Sequence, residues 1–254
     1  MMIYIAAVVF LYAEQRNLLF KPSDAISAPL AYELQNFTDV AIHTKDGLKL
    51  NAWYYKPKDA KKAVVYFMGN HDSLKNYINF FKQLTDANIA VLSVCYRGYC
   101  GSEGHPTEEG LYADADAALK FLEKDFAVHD IIAIGRSLGS GVATELATKN
   151  DLGGLVLVSP YTSIPDVASI IYWYMPIHAL VRDRFESINK IAKVKAPILI
   201  LHGDEDKLIP LSQGIALNNA ATSPHTLKIY KGFGHPDMPF DRVGKDVVEF
   251  INKQ

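Results

Sequence analysis

Cysteine is scarce in this chain: Cys95 and Cys100 are the only two among 254 residues. Two thiols so close in sequence cannot staple a fold, so no disulfide scaffold is expected and both are read as buried or half-buried thiols. A basic excess is missing too, with 26 Lys and Arg against 28 Asp and Glu and a formal net charge of −2. Without it there is no electrostatic footprint for a phosphate backbone, which excludes nucleic acid as a partner. No Cys/His cluster has zinc-ligand spacing. Internal repeats and low-complexity stretches are absent as well.

A long uninterrupted apolar run is also lacking. The uncharged segment Met1–Ala13 would span about 20 Å as a helix, against a hydrocarbon core of about 30 Å. It has no positive n-region, so it makes a poor secretory signal, although Ala13 resembles a cleavage position. Arg16 and Lys21 follow it. If the segment inserts, the positive-inside tendency leaves the rest of the chain on the cytoplasmic face. Residues 1–20 are therefore expected to form a hydrophobic segment that associates with a membrane surface, the alternative being a helix packed on the domain.

What is present is core. Hydrophobic residues make up 49% of the chain, enough for one α/β domain over residues 21–254. Val40–His43 and Leu48–Tyr55 flank Lys45-Asp46-Gly47, an antiparallel hairpin signal. Five short runs are apolar on both faces: Ala63–Phe67, Ala90–Val94, Ile131–Ile134, Leu155–Val158 and Ile198–Leu201. Such runs suit parallel strands covered by helices. Helical patterns alternate with them at Asn76–Leu84, Glu108–Phe121, Gly141–Thr148, Leu211–Ala220 and Val243–Asn252, with Thr107 as a helix start. The fold class expected is α/β: a mostly parallel, doubly wound sheet with an antiparallel N-terminal hairpin. One connection is too long for a simple crossover. Residues 161–193, with an apolar and aromatic stretch from Ala168 to Met175, are expected to form a small helical cap over the site.

Chemistry enters at Gly135-Arg136-Ser137-Leu138-Gly139, between an apolar strand and a helix. A serine between two glycines at such a corner is a nucleophile elbow, although a capping serine after a glycine turn has the same pattern. A serine hydroxyl needs a base, and the base needs a carboxylate to hold its tautomer, in the chain order Ser, acid, His. After Ile198–Leu201 come Asp204, Glu205 and Asp206; Asp206 is the candidate acid because it stands clear of the strand end, with Asp204 as the alternative. His235, in Gly232-Phe233-Gly234-His235 after the run Leu227–Tyr230, is the candidate base. The oxyanion donors expected are the backbone N–H groups of Leu138 and of Asn70, in the loop Met68–Ser73. Met68, His71, Tyr161, Tyr172 and Trp173 are the candidate substrate-binding residues. Arg97, Glu103, Asp114 and Asp116 are read as structural pairing.

These residues in this order resemble the α/β-hydrolase superfamily, and within it the single-domain, often N-terminally anchored branch that includes bud-emergence-type hydrolases and protein depalmitoylases. The resemblance is carried by Gly135–Ser140, Tyr96–Pro106, Ser159–Ser163, Leu201–Pro210 and Gly232–His235, and by Gln15–Phe20, which is similar to the junction after that branch's membrane helix. It implies Ser137, Asp206 and His235 as a catalytic triad. The chain departs from the family pattern at Met68, where a histidine is usual, and at Cys100, where a glycine is usual. The expected function is a serine hydrolase of esters or thioesters, with an acyl-chain or lipid-like substrate or an acylated protein, and with no metal or organic cofactor. A serine peptidase of aminopeptidase type and a non-catalytic ligand-binding protein on the same fold are the rivals.

Overall fold

The computed structural model describes residues 2–26, 28–32, 34 and 36–254; Met1, the first residue of the apolar segment, lies outside them. The chain opens with helix α1 (Met2–Leu19). The turn around Gly47, at φ 88°, then joins β1 (Thr38–His43) to β2 (Lys49–Tyr55) in an antiparallel pair. The doubly apolar runs become β3 (Ala63–Phe67), β4 (Ala90–Val94), β5 (Ile131–Arg136), β6 (Gly154–Val158) and β7 (Ile198–Gly203), and β8 (His225–Tyr230) closes one edge.

The eight strands lie in the order β1-β2-β4-β3-β5-β6-β7-β8. β2 runs antiparallel to β4, and from β4 to β8 every pairing is parallel. β3 to β7 are buried along their whole length, as strands covered on both faces must be. The cover comes from α2 (Ile78–Asp86) packed with α8 (Phe240–Ile251), and from α3 (Glu108–Leu122) packed with α4 (Leu138–Lys149), with α7 (Leu211–Ala220) against β7. The Thr107 hydroxyl accepts the Gly110 N–H at 3.0 Å and so caps α3, satisfying one of the donors left over at a helix start. α4 begins three residues earlier than its apolar pattern suggests, because the elbow glycine Gly139 lies inside its first turn.

Arg97 pairs with the buried Asp114 at 2.8 Å and with Asp46 at 2.9 Å, and Glu103 accepts the Lys49 N–H. These ties join the hairpin and α3 to the loop after β4. Cys95 and Cys100 are free thiols, both buried.

Between β6 and β7 the long connection forms α5 (Ile164–Ile171), α6 (Ile177–Leu180) and short turns. α1 lies against it. Arg16 makes a two-pronged ion pair with Asp183, Gln15 reaches Leu180 O and the Arg182 N–H, and the Tyr4 hydroxyl donates to Tyr174 O. The helix is longer than its uncharged segment, continuing through Glu14, Gln15 and Arg16. Among the described residues no helix is long and apolar enough to cross a membrane.

Candidate active site

Ser137 stands at the carboxyl end of β5, and α4 starts at the next residue. Its backbone is at φ 49°, ψ −119°, a conformation that L-residues seldom adopt and that costs of order 1–3 kcal/mol. The surroundings hold it there. The Ser137 N–H donates to Val158 O at 2.9 Å, and Ser137 O accepts from both the N–H and the hydroxyl of Ser140. The flanking glycines are required by space: a Cβ on Gly135 would lie 2.2 Å from Gly139 O, and one on Gly139 would lie 2.2 Å from Phe67 O. Helix, elbow and β3 thus touch through backbone alone.

His235 and Asp206 reach this serine from two other loops. His235 Nε2 lies 3.0 Å from Ser137 Oγ, and His235 Nδ1 lies 2.8 Å from Asp206 Oδ2. The other Asp206 oxygen accepts the N–H groups of Leu208 at 3.0 Å and Ile209 at 2.8 Å. Burial pushes the Asp206 pKa up, but the hydrogen bond and charge of His235 and the Ile209 N–H outweigh it, and the net shift is downward. A charged acceptor is thereby kept facing the imidazole. Asp204 does a different job: it accepts the Gly232 N–H at 2.7 Å and pins the turn that leads to His235. His202, wholly buried beneath the acid, bonds Ile209 O at 2.8 Å, and burial lowers its pKa.

Asn70 and Leu138 line the same cavity as Ser137. The loop carrying Asn70 comes close to the serine because residue 69 is glycine; a Cβ there would lie 3.3 Å from Ser137 Cβ and 2.4 Å from Asp72 Oδ2. Asp72 Oδ2 accepts the Gly69 N–H and is itself held by the Tyr77 hydroxyl and Arg136. Arg136 also donates to His235 O at 3.0 Å. One guanidinium therefore ties the elbow, the glycine loop and the histidine loop together, an arrangement that the residue between a glycine and the serine did not reveal in the sequence.

The cavity above Ser137 measures about 270 Å³. Tyr161 and Tyr172 line it, and the Tyr161 hydroxyl donates to Leu138 O at 3.1 Å. Three expected substrate contacts fall elsewhere. Met68, 0% exposed, continues inward from the end of β3 and completes the core. His71, at φ 59°, turns outward at the loop tip. Trp173 is 80% exposed and packs edge-on against Tyr174 outside the cavity. None of the three is a lining residue. In their place the walls are built by α5 and α6, by Leu208 and Ile209, and by one face of α1: Leu11, Gln15, Leu18 and Leu19. That i, i+4, i+7, i+8 spacing is one helix face, which the sequence, apolar all along residues 1–13, did not set apart.

A parallel sheet with antiparallel first strands, a serine on a strained strand-to-helix corner and an acid and a histidine within reach of it define an α/β-hydrolase-type architecture. Comparison with known proteins agrees. The family model described as "Serine aminopeptidase, S33" matches residues 58–188. An uncharacterized protein of Mycobacterium tuberculosis is 33% identical over 247 residues, covering 95% of this chain and 88% of the relative. The α/β hydrolase domain-containing protein WAV2 of Arabidopsis thaliana is 30% identical over 235 residues, 82% of this chain and 76% of the relative. Among solved structures, an esterase of Pyrococcus furiosus superposes with a TM-score of 0.74 over 92% of this chain and 98% of its own; at 18% identity that likeness is one of fold. The chain belongs to the α/β-hydrolase family.

Proposed function

We propose that the protein is a serine hydrolase that cleaves carboxylic esters or thioesters bearing an apolar acyl group. The observation that carries this reading is the continuous relay from Ser137 Oγ to His235 Nε2 at 3.0 Å and from His235 Nδ1 to Asp206 Oδ2 at 2.8 Å. His235 takes the hydroxyl proton as Ser137 attacks the carbonyl carbon, and Asp206 steadies the imidazolium that forms. The backbone N–H groups of Leu138 and Asn70 receive the negative charge on the carbonyl oxygen, helped by the start of α4. His235 then returns the proton to the leaving alcohol or thiol. Water, deprotonated by the same histidine, releases the acid from the acyl-enzyme.

The acyl preference rests on the lining: the described residues around the cavity carry no charged side chain, and most are Leu, Ile, Val or Ala. This also weighs between the rivals. The family description favours an aminopeptidase, but such an enzyme must hold a substrate ammonium, and no carboxylate stands among the described lining residues. Val9 and Phe10 of α1 and Ile171 and Trp173 of the insertion are large apolar side chains left exposed, which supports contact with a lipid surface. A panel of nitrophenyl esters tests the reading. Turnover that improves with acyl length and vanishes in Ser137→Ala is expected. Turnover of acetate alone removes the acyl preference, cleavage of aminoacyl anilides in place of esters favours the peptidase, and tight ligand binding without turnover favours the binding protein.

A further inference from the structure

The side chain of Asn70 has no assigned part in the relay, yet it is hydrogen-bonded to the end of α1 and to Tyr99. Its Oδ1 accepts the Lys21 N–H at 2.8 Å and the Tyr99 hydroxyl at 2.9 Å, and its Nδ2 donates to Leu19 O at 2.5 Å. Leu19 is the last residue of α1, so its carbonyl is one of those a helix end leaves without an internal partner. A backbone N–H and a backbone carbonyl from the same stretch fix which way round the amide sits. The Tyr99 hydroxyl also accepts the Lys21 N–H at 3.2 Å, and Tyr99 is wholly buried. The clamp is therefore built from the core side as well as from the helix.

We propose that the Asn70 side chain is a positioning residue. It aims its own backbone N–H at the reacting carbonyl oxygen by bolting the glycine loop to the exit of α1. This rests on the serine-hydrolase reading above. The loop is then held from both sides, by Asp72 on the Gly69 N–H and by the α1 exit on Asn70. The exit of α1 becomes part of the catalytic apparatus in addition to the helix walling the cavity, and α1 is itself anchored at Arg16–Asp183 and Gln15–Leu180. Simple capping of the α1 end would account for the bonds to Leu19 O and the Lys21 N–H but would leave turnover untouched once the protein is folded.

Asn70→Ala separates the two, because it keeps the backbone donor and removes only the clamp. Losing an oxyanion donor outright costs on the order of 10²–10³ in kcat, so a donor left in place but loosely aimed is expected to lose about 10- to 100-fold. KM for a medium-chain ester should stay within about threefold, and fluorophosphonate labelling of Ser137 should slow in step with kcat. Tyr99→Phe, which takes away one of the three partners and leaves Asn70 intact, should move kcat in the same direction by less, and the double variant should lose less than the product of the two. If Asn70→Ala lowers the melting midpoint but turns over and labels at the wild-type rate per folded molecule, the inference is overturned. Should Asn70→Ala fail to fold, Tyr99→Phe carries the test, and an unchanged kcat in a folded Tyr99→Phe overturns it equally. A wild-type protein that hydrolyses no ester and takes no label at Ser137 removes the underlying reading instead, which keeps the two failures distinct.

Discussion

Asp206→Asn changes the hydrogen bonds of one side chain and almost nothing of its shape. In the native protein Oδ1 accepts the N–H groups of Leu208 and Ile209, while Oδ2 faces His235 Nδ1 at 2.8 Å. In the variant those two N–H groups keep the amide oxygen where Oδ1 stood, so the amide NH2 takes the place of Oδ2. An NH2 group can only donate. The imidazole must then present a bare Nδ1 and carry its proton on Nε2, which lies 3.0 Å from Ser137 Oγ. Nε2–H becomes a donor to the serine, and the hydroxyl proton has nowhere to go. A wrong tautomer in otherwise intact geometry costs about 10⁴ in kcat, or about 5.4 kcal/mol of transition-state stabilisation. Stability should fall far less, since a charge-assisted hydrogen bond worth about 1.5–3 kcal/mol gives way to a neutral one worth about 0.5–1.5 kcal/mol. The assay is kcat on a short nitrophenyl ester near neutral pH, with a urea denaturation curve on the same preparation. Folded Asp206→Asn within tenfold of wild type would refute the assignment. Asp204→Asn is the matched comparison: its amide oxygen still accepts the Gly232 N–H, so a loss of at most a few-fold is expected.

Gly135→Ala places a Cβ 2.2 Å from Gly139 O and 2.8 Å from Ala143 Cβ; backbone must move, which should cost about 1–3 kcal/mol of stability and, for a serine displaced by about 1 Å, on the order of 10²-fold in kcat. Wild-type melting and turnover would contradict the close-packed elbow. Ala168 lines the cavity, so Ala168→Trp should shorten the accepted acyl chain. Excluding two methylenes at about 0.8 kcal/mol each predicts a loss of about tenfold or more in kcat/KM for long esters and little change for acetate, and a uniform loss across an ester series would count against the acyl wall. His202 supplies a pH prediction. Its pKa is lowered by burial, so the unfolded chain takes up the proton at a higher pH than the folded one. The stability it contributes is fully present above about pH 6.5 and is lost as pH falls towards the folded value, with a slope of at most one proton, about 1.4 kcal/mol per pH unit. In urea titrations from neutral to mildly acidic pH, His202→Gln should flatten that slope; an identical slope in both proteins would sink the argument.

The parts of this molecule that were legible in sequence share a physical cause. Val64, Ile132, Val156 and Ile200 sit in strands with both faces covered, and such strands read as unbroken apolar runs. The elbow was legible because a Cβ on Gly135 or Gly139 would run into neighbouring backbone, and no other residue type fits. His235 matched the order Ser, acid, His, and Asp206 was preferred for standing clear of the strand end, with Asp204 left as the alternative. What could not be read depended on where elements dock. Met68 and Trp173 are both large and apolar, yet one completes the core and the other faces solvent; the course of the loop after β3 and of the turn between α5 and α6 decides that, and neither is encoded in residue type. The sequence showed residues 1–13 only as an uncharged apolar segment, with no one face set apart, and the seat of α1 against the insertion depends on distant partners such as Asp183 and Leu180. Arg136 lay between two motif residues, and its role appears only when Asp72 and His235 arrive from other loops.

The central claim is that Ser137 is the nucleophile. The most direct test treats the full-length protein with a fluorophosphonate and maps the adduct by peptide mass spectrometry. A single adduct on the peptide containing Ser137, formed in step with loss of esterase activity and absent in Ser137→Ala, is the predicted result. Esterase activity retained by Ser137→Ala, or an adduct on another residue that accounts for the inactivation, would contradict it.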